Sequence, residues 1–329
     1  MRPAFLSALL GAILSLLVLA SLHLGAAALD SADILAALVG QGDPRMVTIV
    51  QEIRLPRALL GILVGCALGL SGAALQGLLR NPLADPGIIG TSASAGFGAV
   101  VALYFGWALV FPWALPLSAM TCAAGGTLLL LAVAGRDSGT LTLILSGIAI
   151  SSLAVALTSL AMNLSPNPFA LSEIVLWLLG SLKDRSLDDV VLSAPFVLGG
   201  GVLMMAAGRG LDVLTLGEEA AASLGVSLRR LRLQVVIGGA LAVGAVVAAA
   251  GSVGFVGLVV PHLLRPWVRH RPSALLLPSA LGGAILVLAA DLAVRLIPAR
   301  SELMLGVLTS LVGAPFFLAL ILKMRWSRS

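Results

Sequence analysis

Residues 57–79 read Arg57-Ala58-Leu59-Leu60-Gly61-Ile62-Leu63-Val64-Gly65-Cys66-Ala67-Leu68-Gly69-Leu70-Ser71-Gly72-Ala73-Ala74-Leu75-Gln76-Gly77-Leu78-Leu79. No charged residue falls between Arg57 and Arg80. A helix rising 1.5 Å per residue needs about 20 apolar residues to cross a bilayer core, and this run supplies them. Gly61, Gly65 and Gly69 recur every fourth residue, so one face of the helix lets another backbone come close. In lipid, only a helix or a closed barrel satisfies its own backbone polar groups. A run this long and this apolar is therefore a membrane helix.

Working outward, the same rule marks about 4–28, 88–107, 113–134, 141–162, 190–208, 233–250, 254–265, 274–297 and 303–322. The expected fold is an all-α polytopic membrane protein of about ten transmembrane helices, with residues 1–329 as a single domain. The run 254–265 is too short to cross alone. It is expected to be a half-helix after a break supplied by Gly251, Gly254 and Gly257. The composition agrees: 59% of residues are apolar, 11% are charged, and the mean hydropathy is +1.10. A soluble domain carries roughly 25% charged residues. Residues 1–29 have the order of a secretory leader. Their apolar run exceeds the usual leader core, so a retained first span is expected.

The sequence pI of about 10.2 does not point to nucleic acid, because the basic residues lie in short loops between apolar runs. There they report topology. With alternating spans, thirteen of the 20 Lys and Arg residues fall on the side of the N-terminus, and ten of the 15 acids fall on the other. Both termini are expected to be cytoplasmic, in a bacterial inner membrane. Cys66 and Cys122 lie inside apolar runs without partner spacing. His23, His262 and His270 form no ligand motif, so neither a metal site nor a cofactor is expected.

Three connections exceed simple turns. Residues 29–56 and 163–189 lie outside, the second holding an apolar piece that suits a re-entrant or interfacial helix. Residues 209–232 lie inside. There, Glu218 to Leu224 has helical composition, Gly225 fits its stop, and Ser227 can cap the next helix. Two short helices meeting at Gly225 would make a rigid knob below the membrane, suited to a partner's groove. At the outer face, Arg54-Leu55-Pro56-Arg57 is expected to begin the second span, and its two arginines suit either an acidic partner or interfacial anchoring. At its inner end, Arg80-Asn81-Pro82-Leu83-Ala84-Asp85-Pro86-Gly87 makes a stiff turn, a plain connection or a gate.

An energy source is missing. The only lysines, Lys183 and Lys323, each follow leucine, so no P-loop exists. The one acid near a span interior is Asp291, with Arg295 one turn on. An i,i+4 structural pair is the expected reading, which leaves no ion-coupling relay. Paired acids and nucleophile motifs are absent too, so an enzyme is disfavoured. A carrier or channel working alone remains the alternative. Energy from a separate subunit is the natural inference.

Taken together, Arg54-Leu55-Pro56-Arg57, Gln76-Gly77, Arg80-Asn81-Pro82-Leu83-Ala84, Pro86 to Gly90, Trp177 with Gly180-Ser181, Leu224-Gly225, Gly254-Phe255-Val256-Gly257-Leu258, Pro261-His262 and Gly313-Ala314-Pro315-Phe316-Phe317 resemble the FecCD family of ABC-importer permeases. The blocks run in order from about residue 50 to 320. The resemblance implies the BtuC-like fold of type II importers and a homodimer around a central pathway. It also implies ATP-binding cassette subunits below, a periplasmic substrate-binding protein above, and iron chelates (siderophore or haem) or cobalamin as cargo. It places ATPase coupling on 211–232, with Glu218, Leu224, Gly225, Arg229 and Arg230. Docking of the binding protein would fall to Arg54, Arg57 and Arg295. A cytoplasmic gate would lie at about 81–94, with Asn81, Pro82 and Pro86, and at the turn near 136–142.

Overall fold

A computed structural model describes residues 3–25, 27–111, 113–135, 139–165, 168–297 and 303–326. Every apolar run read above contains helix among the described residues. In chain order the helices are α1 (Pro3–His23), α2 (Ser31–Leu38), α3 (Pro44–Leu78), α4 (Thr91–Tyr104), α5 (Ala114–Ala134), α6 (Thr140–Asn163) and α7 (Pro168–Leu178). Then come α8 (Leu187–Ala206), α9 (Gly208–Leu214), α10 (Glu218–Ser223), α11 (Leu228–Ala250), α12 (Val256–Leu264), α13 (Pro272–Leu296) and α14 (Leu305–Trp326). Among the described residues, seven are long and apolar enough to cross a membrane: α1, α3, α5, α6, α8, α11 and α13. The chain is a multi-pass membrane protein.

Three boundaries differ from the sequence reading. The second span does not begin at Arg54 to Arg57 but runs back unbroken to Pro44. Pro56 has no N–H and would leave an ordinary helix short of a bond. Here the turn before it widens into a π-helix over Ile49–Arg54, where the Leu55 amide reaches back five residues to the Val50 carbonyl. Helix α4 has only 14 residues, because a 3₁₀ turn, Pro86–Ile89, takes up its expected start. The break before α12 is made by Gly251 (φ 73°) and Phe255 (φ 66°), not by Gly254 or Gly257.

Helices α3, α11 and α13 form the buried centre, and α3 packs most extensively against α13. In lipid, helices gain little from the hydrophobic effect when they associate, so close packing must hold them. The repeat at Gly65 and Gly69 provides it. A Cβ on Gly65 would lie 2.3 Å from the Gly283 carbonyl oxygen, and one on Gly69 would lie 2.0 Å from that of Ser279. Gly61 meets side chains instead, those of Leu288 and Leu182.

The short α7 packs inward through Ile174 and Trp177, and the chain turns after it at Gly180 (φ 71°). There the Ser181 amide donates to Ala250 at 2.8 Å, and the Gly306 amide donates to Gly180 at 3.3 Å. The turn after α7 thus ties the last carbonyl of α11, just before the break, to the start of α14. A cleft of about 580 Å³ opens beside it, lined by Ser252, Gly254, Gly306 and Ser310 among others. This is the buried or cavity-facing setting that irregular backbone requires at membrane depth.

Candidate functional site

The candidate site residues gather at the two ends of the α3–α13 pair. At one end Asp291 on α13 is 1% exposed and holds two guanidinium groups. Arg57 reaches its Oδ1 through Nε at 3.0 Å and Nη2 at 2.8 Å, and Arg295 reaches its Oδ2 at 2.5 Å. Arg295 also donates to the Ser21 carbonyl at 3.1 Å and the Leu24 carbonyl at 3.3 Å. Arg54 donates to the carbonyls of Leu22, His23 and Ala27. The last carbonyls of a helix lack partners within it, and here two arginines supply the end of α1 with donors.

The three expected docking arginines do come together, around a cavity of about 620 Å³. Arg54 is 4% exposed, with its guanidinium donating to the end of α1. Arg57 and Arg295 keep edges of 12% and 10% exposure. The expected pair of Asp291 and Arg295 is present. Its second partner, Arg57, lies 234 residues away in the chain and gave no local signal.

At the opposite end of the pair sits the knob. Helix α10 runs from Glu218 to Ser223, and Gly225 (φ 84°) makes the left-handed turn after it. The Ser227 hydroxyl accepts from the Arg230 amide at 3.3 Å and starts α11. Glu218 braces the knob, accepting from Arg232 and from Thr140, each at 3.1 Å. Leu216 and Leu224 are 66% and 64% exposed, and Arg229, Arg230 and Gly225 are exposed beside them. The knob therefore shows two bare leucines and two arginines on a braced scaffold.

Asp212 on α9 is a residue whose role the sequence hid. Its carboxylate accepts from the Ser273 amide at 2.7 Å, the Ser273 hydroxyl at 2.6 Å and Arg271 at 2.8 Å. It thereby caps the first turn of α13 and joins the knob region to the central pair. Burial alone would raise its pKa, but the Ser273 donors and the Arg271 guanidinium outweigh that and hold it below the ordinary carboxylate value. A depressed folded pKa adds stability above the unfolded value, near 3.9, and that stability is lost as pH falls through the folded value. Asp212→Asn is therefore expected to lower stability by about 1–2 kcal/mol at every pH above ~5, with the gap closing below ~4. Melting temperatures in detergent across pH check this, and a gap that widened in acid would refute it.

The turn after α3 is built as a unit. The Asn81 side chain accepts from the Leu83 amide at 3.0 Å, Asp85 accepts from the Gly87 amide at 2.8 Å, and Pro86 is buried. Of the second proposed gate turn, residues 136–138 lie outside the described residues. Among the described residues no group of three or more His, Cys, Asp or Glu could hold a metal. His262 meets the Phe316 ring edge-on at 6.1 Å.

This architecture has known counterparts. The model of the FecCD transport family matches residues 13–323. The hemin transport system permease protein HmuU of Yersinia pestis is 38% identical, over 100% of this chain and 98% of its own. The vitamin B12 import system permease protein BtuC of Citrobacter koseri is 39% identical, over 84% of this chain and 83% of its own. A solved structure described as an inward-facing metal-chelate type ABC transporter superposes with a TM-score of 0.87 at 33% identity, covering 98% of this chain and 100% of that one. The match spans the central pair, the knob and the broken helix alike, and this chain belongs to the FecCD transport family.

Proposed function

We propose that this chain is the membrane-spanning subunit of an ATP-driven importer that carries an iron chelate (siderophore or haem) or cobalamin across a bacterial inner membrane. Residues 1–329 act as one permease domain, paired with a second copy around a central pathway, with both termini cytoplasmic. The observation that carries this reading is the braced knob of Leu216, Leu224, Gly225, Arg229 and Arg230, set below a bundle whose sequence has no means of using ATP. Such a knob suits a groove on a separate ATPase, and the chain itself is not an enzyme. The names of HmuU and BtuC support the cargo class.

The mechanism follows from rigid units with two states. A loaded binding protein docks at the Asp291 end, which is periplasmic, offering carboxylates to the exposed edges of Arg57 and Arg295. ATP closes the nucleotide subunits, and their motion enters through Glu218, Arg229 and Arg230 on the knob. It reaches α13 through the Asp212 bracket, and the two copies rock about the pathway. Asn81, Pro82 and Pro86 form the cytoplasmic gate. The cleft beside Ser252 and Gly254 is part of the pathway wall.

The test is reconstitution with the cognate ATPase and binding protein, followed by uptake of labelled cobalamin, ferric siderophore and haem. ATP-dependent uptake of one of them is the expected result. Accumulation by this chain alone would refute the proposal and favour a self-powered carrier. In the same assembly Gly225→Val is expected to retain hydrolysis and lose uptake. A left-handed β-branched residue costs roughly 1–2 kcal/mol and distorts the waist of the knob. Normal uptake by that variant would remove the knob from the coupling route.

A further inference from the structure

Gln76, in the last turn of α3, is a large polar side chain only 1% exposed. Its Nε2 donates to the Ala84 carbonyl at 3.3 Å and to the Gly257 carbonyl at 3.3 Å, with Leu258 at 3.5 Å. Its Oε1 accepts from Arg265 at 2.5 Å. Its backbone carbonyl accepts from the Asn81 amide at 3.2 Å, and the Ala84 amide in turn donates to Asn81 at 3.2 Å. One residue therefore grips the turn after α3 at two points and α12 at both its ends.

The surrounding contacts leave no slack. A Cβ on Gly257 would lie 2.6 Å from the Pro86 ring and 2.9 Å from the Leu68 carbonyl oxygen. The turn, the start of α12 and α3 thus touch through backbone and a proline ring. Packing of this kind resists separation but carries no direction. The amide of Gln76 adds direction, since its two N–H bonds and one acceptor point to different elements. Buried amides with every partner in place fix one arrangement, because any alternative leaves polar groups unpaired.

We infer that Gln76 is a positioning residue that makes the turn 80–86 and the broken helix α12 move as one body. On the importer reading, on which the transport half of this inference rests, the proposed gate then opens only when α12 shifts with it. Neither element can follow the coupling motion alone. The cleft wall at Ser252 and Gly254 leads directly into α12, so pathway and gate are bound to one lever. Arg265, at the far end of α12, completes the latch.

The experiment uses two variants of the full chain in lipid nanodiscs. Gln76→Leu removes every side-chain bond. Gln76→Glu keeps the size and the Arg265 contact, and turns the donor face into an acceptor facing two carbonyls. Hydrogen exchange is read at the amides of 83–88 and of 256–264. Both variants are expected to exchange about tenfold faster at 83–88, the effect of losing one or two hydrogen bonds in a local opening, with 256–264 nearly unchanged. In the assembly with ATPase and binding protein, both should keep hydrolysis and lose about tenfold in maximal uptake, with little change in the substrate concentration at half-maximum. Parental exchange rates at 83–88 in the isostere Gln76→Glu would overturn the latch, as would an equal rise at both segments, which would mark general loosening. If the parent chain itself moves no substrate with its partners, the importer reading fails, while the exchange data still decide the latch.

Discussion

Gly72→Ala is expected to yield no correctly packed protein. A Cβ at position 72 would lie 1.9 Å from the carbonyl oxygen of Gly257, 2.5 Å from its carbon and 2.6 Å from its Cα. All three are backbone atoms at the start of α12, where the chain has just left its left-handed break at Phe255 and is packed on Pro86. No side chain is available to swing aside. Overpacking a core commonly costs about 1–3 kcal/mol when neighbours can shift, and here the neighbour is a main chain pinned from both sides. Gly69→Ala and Gly283→Ala should behave alike, since each Cβ would lie 2.0 Å from an opposing carbonyl oxygen. The measurement is the yield of monodisperse protein in detergent and its melting temperature. Gly125→Ala on α5 is the control, having nothing within 4 Å of the added carbon. It is expected to be neutral or to add up to about 1 kcal/mol of helix stability. A folded Gly72→Ala protein of parental stability would show that α3 and α12 do not meet as described.

Asp291→Ala is the second large effect. The carboxylate is 1% exposed and bridges two guanidinium groups, one from α3 and one from its own helix. Without it Arg57 and Arg295 are left as like charges around an empty position, each largely withdrawn from water. Breaking a buried pair by removing one partner costs roughly 3–5 kcal/mol, and this change disturbs two at once. The expected result is a loss of that order in unfolding free energy, read from thermal melts in detergent. The double variant Arg57→Leu with Asp291→Ala should recover part of it, since it restores the balance of charge. A variant without the acid that melted at the parental temperature would show that solvent reaches this cluster freely. The cluster also bears on docking. Within the cluster itself three arginines outnumber one acid, and Arg57 and Arg295 keep exposed edges of 12% and 10%.

Much of this was legible along the chain. The helix pattern, the half-helix after Gly251, the stop at Gly225 and the cap at Ser227 are local properties, set by runs of apolar residues, by glycine's left-handed freedom and by short polar side chains. The pair of Asp291 and Arg295 was legible too, being one helical turn apart. The four-residue repeat of Gly65 and Gly69 announced a close helix partner, though not which helix. What misled was equally physical. Arg54 and Arg57 read alike in sequence, yet one donates to the end of α1, while the other meets Asp291. Proline 56 read as a helix start because its remedy, a widened turn, leaves no mark in composition.

The sequence by itself determined a polytopic helical membrane protein, the apolar runs that become its helices, and where its knob and its stiff turn fall. In lipid each span must satisfy its own backbone, so hydrophobic length alone dictates it. Only the tertiary structure decided which polar side chains meet. Gln76 with Gly257, Asp212 with Ser273 and Arg57 with Asp291 are joined across 181, 61 and 234 positions. Such pairings depend on how helices pack against one another, and that is set by the summed shape of many small contacts, which no single stretch of sequence contains.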